Sequence, residues 1–133
     1  MNSICGLAQR ISWLKARAEE DPLEYYRPTR PQRDFILDTS YVKALIGGNQ
    51  IGKTMSAAYM LISVCLNKHP TIRSAPPVEC ILVTHSHSQS RVIQEKLWNM
   101  IPKKDLHPSV EFIRGKGFRG LEPLIKFNNQ SII

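Results

Sequence analysis

The feature that most constrains the fold is a glycine-rich turn between two apolar patterns, KALIGGNQIGKTMSAAYML at residues 43–61. Before it, Val42, Ala44, Leu45 and Ile46 read as a short buried strand ending at Gly47. After it, Ala58, Leu61, Ile62, Cys65 and Leu66 recur at helical spacing until Asn67 to Pro70 stop the pattern. The turn satisfies G-x-x-x-x-G-K-[ST], with Gly47, then Gly48, Asn49, Gln50 and Ile51, then Gly52, Lys53 and Thr54. A strand before such a turn and a helix after it are what phosphate binding needs. Glycines let successive backbone N–H groups converge on an anion, and the helix N-terminus adds its positive end. In this arrangement Lys53 supplies a point charge for the β- and γ-phosphates and Thr54 offers its hydroxyl to Mg²⁺.

The surrounding chain extends this unit. ECILVT at 79–84 follows Pro76-Pro77 and is an apolar run of the kind buried in parallel sheets. Strand, loop, helix and strand together occupy the length of a right-handed parallel crossover. A further helix follows, with Val92, Ile93, Leu97, Met100 and Ile101 on one side. At the N-terminus, Ile4, Leu7, Ile11 and Leu14 mark an amphipathic helix over 3–20, read as a docking helix without chemistry. The proline-rich DPLEYYRPTRPQ must be extended or turning, and Pro31 can open a short helix as its first helical residue. Beyond Pro102 the short pieces VEFI and LIKF flank RGKGFRG. The expected fold class is α/β, a P-loop-type parallel sheet with flanking helices. An N-terminal helical segment (1–24) precedes the nucleotide-binding portion (25–133).

Charge narrows the partners. Residues 1–40 hold six basic and six acidic side chains, whereas the remaining residues hold twelve against five, so the net charge of +7 lies within and after the glycine-rich segment. Such a distribution suits a polyanion, nucleic acid first. The three cysteines, Cys5, Cys65 and Cys80, form no Cys-x-x-Cys pair and are odd in number, which points away from a disulfide framework and toward a reducing cytoplasmic setting. The longest apolar run, AAYMLISVCL, is too short to span a bilayer, and no signal-peptide core is visible.

PTRPQRDFI followed by ALIGGNQIGKT resembles the start of the ATPase domain in the large subunit of tailed-bacteriophage terminases, the motors that package DNA into a procapsid. In that family a Pro-x-x-x-Gln-type element upstream of the loop lysine contacts adenine, and Gln32 stands in that place. An amide suits the task because it donates and accepts at once. ILVTHSHSQSRVIQEKLWNMIP is similar to the family's second strand and following helix. LIKFNNQSII resembles its Ile-x-Phe-x-Asn-Gly-Ser-x-Ile hairpin, with Gln130 where glycine is usual. The resemblance implies ATP and Mg²⁺ as ligands, with Gln32 and residues 47–54 holding them. It also implies double-stranded DNA, a small terminase subunit and the procapsid portal as partners, and a homo-oligomeric ring in the full-length protein. Many of these motors carry a loop arginine that acts on the γ-phosphate; Asn49 and Gln50 occupy those positions here.

Other groups are weaker candidates. Arg114, Lys116 and Arg119 could touch DNA phosphates or be solvated charge on a glycine-rich turn. Thr84, Ser86 and Ser90 could face DNA or cap a helix. His85 and His87 have no third ligand at metal spacing and read as a polar loop. Hydrolysis in such folds also needs four apolar residues ending in Asp-Glu, to hold Mg²⁺ and polarise water. None of the acids after Lys53, namely Glu79, Glu95, Asp105, Glu111 and Glu122, follows such a run. The resemblance places that motif just after the hairpin, so a chain cut short, whether an expressed fragment or a truncated prophage frame, is expected, and inactive as an ATPase alone. The rival readings are a helicase-like ATPase or small-molecule kinase, and a non-catalytic nucleotide- or DNA-binding adaptor.

Overall fold

A computed structural model describes residues 2–48, 52–119 and 124–133. Five α-helices dominate it: α1 (Asn2–Glu20), α2 (Pro22–Tyr25), α3 (Arg30–Leu37), α4 (Lys53–Cys65) and α5 (His87–Met100). A 3-10 turn, Lys103–Asp105, and a two-stranded antiparallel hairpin of β1 (Phe112–Ile113) and β2 (Gly117–Phe118) follow.

The helix boundaries have local causes. Asp21 caps α2 by accepting the Glu24 N–H at 3.4 Å, and Pro22 gives up an N–H that would be unpaired in a first turn. At α3, Pro31 again lies in the first turn, and the amide oxygen of Gln32 accepts the Thr29 N–H at 2.8 Å. This is the reach-back arm of a capping box. Ser86 caps α5 through the Gln89 N–H at 3.4 Å. Helix α4 ends where Asn67 turns left-handed (φ 54°), while the N–H groups of Lys68 and His69 both return to the Ser63 carbonyl.

The core forms where α4 meets α5. Ala58, Ile62 and Cys65 on one face of α4 pack with Leu97, Met100 and Ile101, and Leu23, Phe118, Ile125 and Phe127 close the cluster. Trp98 stacks on Phe112 at 4.9 Å, and Phe118 meets both rings edge-on. Gln94, buried in α5, accepts the Phe118 N–H at 2.9 Å and donates to Ser90 at 2.9 Å. Its amide oxygen lies 2.2 Å from where a side-chain Cβ would sit on Gly117, and φ there is +94°. Glycine is therefore required at 117.

The C-terminal residues form the expected hairpin. Ile125 and Ile133 exchange both backbone bonds, at 2.9 and 3.0 Å, and the Phe127 N–H donates to the Ser131 carbonyl. Gln130 adopts φ 68°, the left-handed conformation that favours glycine at this turn. Residues 78–80 run parallel to the outer arm: the Ile132 N–H donates to Val78 and the Cys80 N–H to Ile132, at 2.9 and 3.0 Å. On the other side, the His107 N–H reaches the Lys126 carbonyl at 2.9 Å. Four extended pieces thus lie side by side, one contact being parallel.

Elsewhere the expected sheet differs. Among the described residues, 42–48 and 81–84 lie outside any assigned strand, and Ile46, Ile81 and Val83 are 91, 87 and 87% exposed. The two apolar runs read as buried strands instead alternate half-buried and exposed residues over 43–46 and 81–84. An apolar run buries both faces only when strands and layers cover it.

One charge cluster anchors the N-terminal segment. Asp21 pairs with Lys104 at 2.9 Å and Lys68 at 3.6 Å, and Lys68 also pairs with Asp105 at 2.8 Å. Burial pushes the Asp21 carboxyl up, but the Lys104 hydrogen bond and both ammonium charges outweigh it and hold it below its ordinary value.

Candidate phosphate-binding site

Gly52 is the residue before α4 and sits at φ 80°, ψ 17°, where any other residue would be strained. Its carbonyl starts the helix by accepting the Ser56 N–H at 3.0 Å. Lys53 and Thr54 are the first two residues of α4, at the end where backbone N–H groups point outward. The Lys53 ammonium folds back over the turn, donating to the Gly47 carbonyl at 2.7 Å and to the Gly48 carbonyl. The start of α4 is thereby tied to Gly47 and Gly48 through the Lys53 side chain. Asn49, Gln50 and Ile51 lie outside the described residues.

Gln32 sits against this turn. Its side-chain nitrogen lies 2.4 Å from the position a Cβ would take on Gly52, so amide and loop backbone are in direct contact. Its oxygen serves Thr29 and lies 3.5 Å from the Tyr26 hydroxyl. Both the capping role and the position beside the loop are therefore realised in one residue. Tyr26 continues the contact: its hydroxyl meets Ser56 Oγ at 3.2 Å, and its ring stacks on Tyr59 at 5.0 Å. Burial, then the neighbouring Tyr26, pushes the Tyr59 phenol above its usual range. Sequence reading missed Tyr26, Ser56 and Tyr59. The Thr29-x-x-Gln32 capping pattern was there to be found, and it fixes the turn that presents both Tyr26 and Gln32 to α4.

Lys53 and Thr54 also border a cavity of about 320 Å³, lined by Phe35, Leu45, Leu82 and Ile93. Its walls join α3, α4, α5 and the two extended segments at the loop end of the molecule. The polar part of its rim is the start of α4, with Lys53 and Thr54. Thr54 follows Lys53 in the first turn of α4 and lines this cavity. Among the described residues, no group of three or more His, Cys, Asp or Glu is placed to hold a metal.

The remaining candidates do not join this site. Ser86 is a helix cap, the Thr84 hydroxyl donates to the Ser86 carbonyl at 3.4 Å, and Ser90 serves Gln94, so these hydroxyls have structural partners. His85 and His87 are exposed at the start of α5. Arg119 is paired with Glu111 at 2.6 Å, and that carboxylate's hydrogen bond and charge raise its already high pKa. Arg114 and Lys116 lie exposed on the turn between β1 and β2. Comparison of the chain with family models, curated proteins and solved structures returns no match in any of the three.

Proposed function

We propose that this chain binds ATP with Mg²⁺ through residues 47–54, as the nucleotide-binding part of a viral DNA-packaging motor of the terminase large-subunit type. The observation that carries the nucleotide reading is the Lys53 ammonium held over the Gly47 and Gly48 carbonyls at the start of α4. Lys53 binds and neutralises the β- and γ-phosphates, Thr54 meets Mg²⁺, and the Gly52 backbone lets the chain approach closely. Gln32 and Tyr26, on the α3 side of the loop, would meet the base in this reading. When bound, Mg²⁺ supplies charge neutralisation across the phosphates. The motor reading rests on the sequence resemblance and on the basic excess after residue 40, which suits double-stranded DNA. Small-subunit and portal partners, a ring assembly and a cytoplasmic location in an infected bacterium follow from the same resemblance. No helix among the described residues is long and apolar enough to cross a membrane.

The second reading, a binding-only role, is motivated by the five acids after Lys53, none of which follows a four-residue apolar run. Calorimetric titration with ATP·Mg²⁺ tests the site. Lys53→Ala removes one partner of a charge-assisted contact and is expected to weaken binding by roughly 2–4 kcal/mol. Equal affinity for both proteins would remove the phosphate assignment. Phosphate release by the wild-type protein that Lys53→Ala abolishes would exclude the binding-only role.

A further inference from the structure

Cys65 and Cys80 are 15 positions apart in sequence and meet behind α4. Cys65 closes the last turn of the helix and is fully buried, whereas Cys80 is half-buried in the extended segment beside Ile132. Their sulfurs are 3.5 Å apart, with the Cys65 S–H donating to Cys80. Both residues are held by the framework: the Cys80 N–H donates to the Ile132 carbonyl at 3.0 Å, and Asn129 Nδ2 donates to the Cys65 carbonyl at 2.7 Å. Cys80 also lines a cavity of about 430 Å³ with Leu97, Phe118, Ile125 and Ile133. One thiol is thus sheltered while the other borders a space that a small oxidant can enter. No third His, Cys, Asp or Glu joins them in a group able to hold a metal among the described residues, which leaves thiol chemistry.

We propose that Cys65 and Cys80 are a reversible oxidation site, closed to a disulfide by hydroperoxide, with Cys80 the attacking thiolate and Cys65 the resolving thiol. The Cys80 sulfur attacks one peroxide oxygen; the O–O bond breaks, and the departing hydroxide takes a proton to become water, leaving a sulfenic acid. The Cys65 sulfur then attacks the Cys80 sulfur, the S–O bond breaks, and the hydroxyl leaves with the Cys65 proton as a second water. Two thiols lose two electrons in total and one peroxide gains them. The division of roles follows the local electrostatics. The hydrogen bond from Cys65 lowers the Cys80 pKa to about 7 against the opposing effect of burial. Donating that bond, and burial, push the Cys65 thiol up. The bond would tie the C-terminal end of α4 to the segment paired with the hairpin. The inference stands independently of what the other end of α4 binds.

The test is hydrogen peroxide treatment of the purified full chain at neutral pH, followed by maleimide labelling in urea, so that the buried Cys65 is reached, and tryptic mass spectrometry. The number of labelled thiols should fall from the three in the sequence to one. Peptides 54–68 and 74–91 should be recovered joined, lighter by two hydrogens, and dithiothreitol should restore all three thiols. Cys65→Ser should stop at a Cys80 sulfenic acid that dimedone traps. The native chain should close the bond at least about tenfold faster than the urea-unfolded chain, because the fold holds the sulfurs together. Equal rates in the two states would overturn the proposal. So would a Cys80 sulfinic acid beside a labelled Cys65, or cross-linking through Cys5 in place of this pair.

Discussion

Residues 78–80 and 81–84 are consecutive parts of one extended segment with different surroundings. Val78 and Cys80 exchange backbone hydrogen bonds with Ile132, and Cys80 packs against the core. Ile81 and Val83, a few ångströms further on, are each 87% exposed. The residue types are equally β-prone. What changes is the neighbour: the hairpin of 125–133 covers the first part. Residues 42–46, leading into the phosphate loop, resemble the second part, with Val42 and Ile46 exposed. The molecule is thus closely packed behind α4 and open along the chain beside its N-terminal start. β-propensity is realised as a ladder only where a partner strand arrives.

The sharpest way to break this contrast is paired truncation. Phe127→Ala removes a fully buried ring from the hairpin end and should destabilise the protein by about 3–5 kcal/mol. Ile81→Ala, on the open side, should change stability by less than about 0.5 kcal/mol. Urea unfolding of both variants is the measurement, and similar losses would show that the open segment is as well packed as the hairpin.

Gln32 spans the two environments, capping α3 while touching Gly52. Gln32→Ala should cost about 1 kcal/mol in stability through the lost cap. If Gln32 also reads the base, the same variant should narrow the preference for ATP over GTP in parallel titrations. A stability loss with unchanged base preference would leave it a cap and move base recognition toward Tyr26.

Acid should separate the packed end into two steps. His69 is buried just beyond α4, its Nδ1 accepting the Ile72 N–H at 3.0 Å and the Thr71 N–H at 3.3 Å. Burial, then the charges of Lys43 and Arg73, push its pKa below the ordinary 6.5. Above pH 6.5 the ring is neutral whether the chain is folded or unfolded, so its contribution is fully present. As pH falls below 6.5 the unfolded chain takes up a proton that the folded chain refuses, and stability declines until the folded ring titrates. Asp21, with its pKa held below 3.8, should produce a second loss only under 3.8, as its pairing with Lys104 and Lys68 is neutralised. Urea midpoints across pH 3–8 should show both steps, and His69→Asn, which keeps an acceptor near Nδ1, should remove the first alone.

The smallest effect is expected at the hairpin turn. Gln130→Gly relieves a side chain held at φ 68° and should stabilise the protein by about 0.5 kcal/mol after the entropy of glycine is set against it. A destabilised variant would mean that the Gln130 side chain makes a contact stronger than the backbone preference.

What was legible in the sequence divides along the same line. Local signals reached the helices: apolar spacing gave α1, α4 and α5, and Pro31 lies in the first turn of α3. They also reached Gly52, because a left-handed backbone there depends on residue type, whereas the hairpin turn at Gln130 was expected only from the resemblance. Burial of 42–46 and 79–84 was not legible, since ECILVT states an apolar preference and says nothing of which strand lies beside it. The meeting of Cys65 and Cys80, and of Tyr26 with Ser56 and Tyr59, was hidden for the same reason. Those contacts are set by how α4 packs against α2, α3 and the segment 78–80. Spacing along the chain carries no trace of that.

The exposed apolar side chains Val42, Ile46, Ile81 and Val83 also bear on how copies of the chain behave toward one another at high concentration. Extended backbone carrying apolar side chains attracts its own kind, and the opposing force is the repulsion of a net charge of +7. That repulsion reaches about 10 Å at 0.1 M salt and about 3 Å at 1 M, whereas apolar attraction does not weaken with salt. The colloidal balance of the protein is therefore expected to follow ionic strength: dilute salt should keep its copies apart, and concentrated salt should let the exposed apolar side chains prevail.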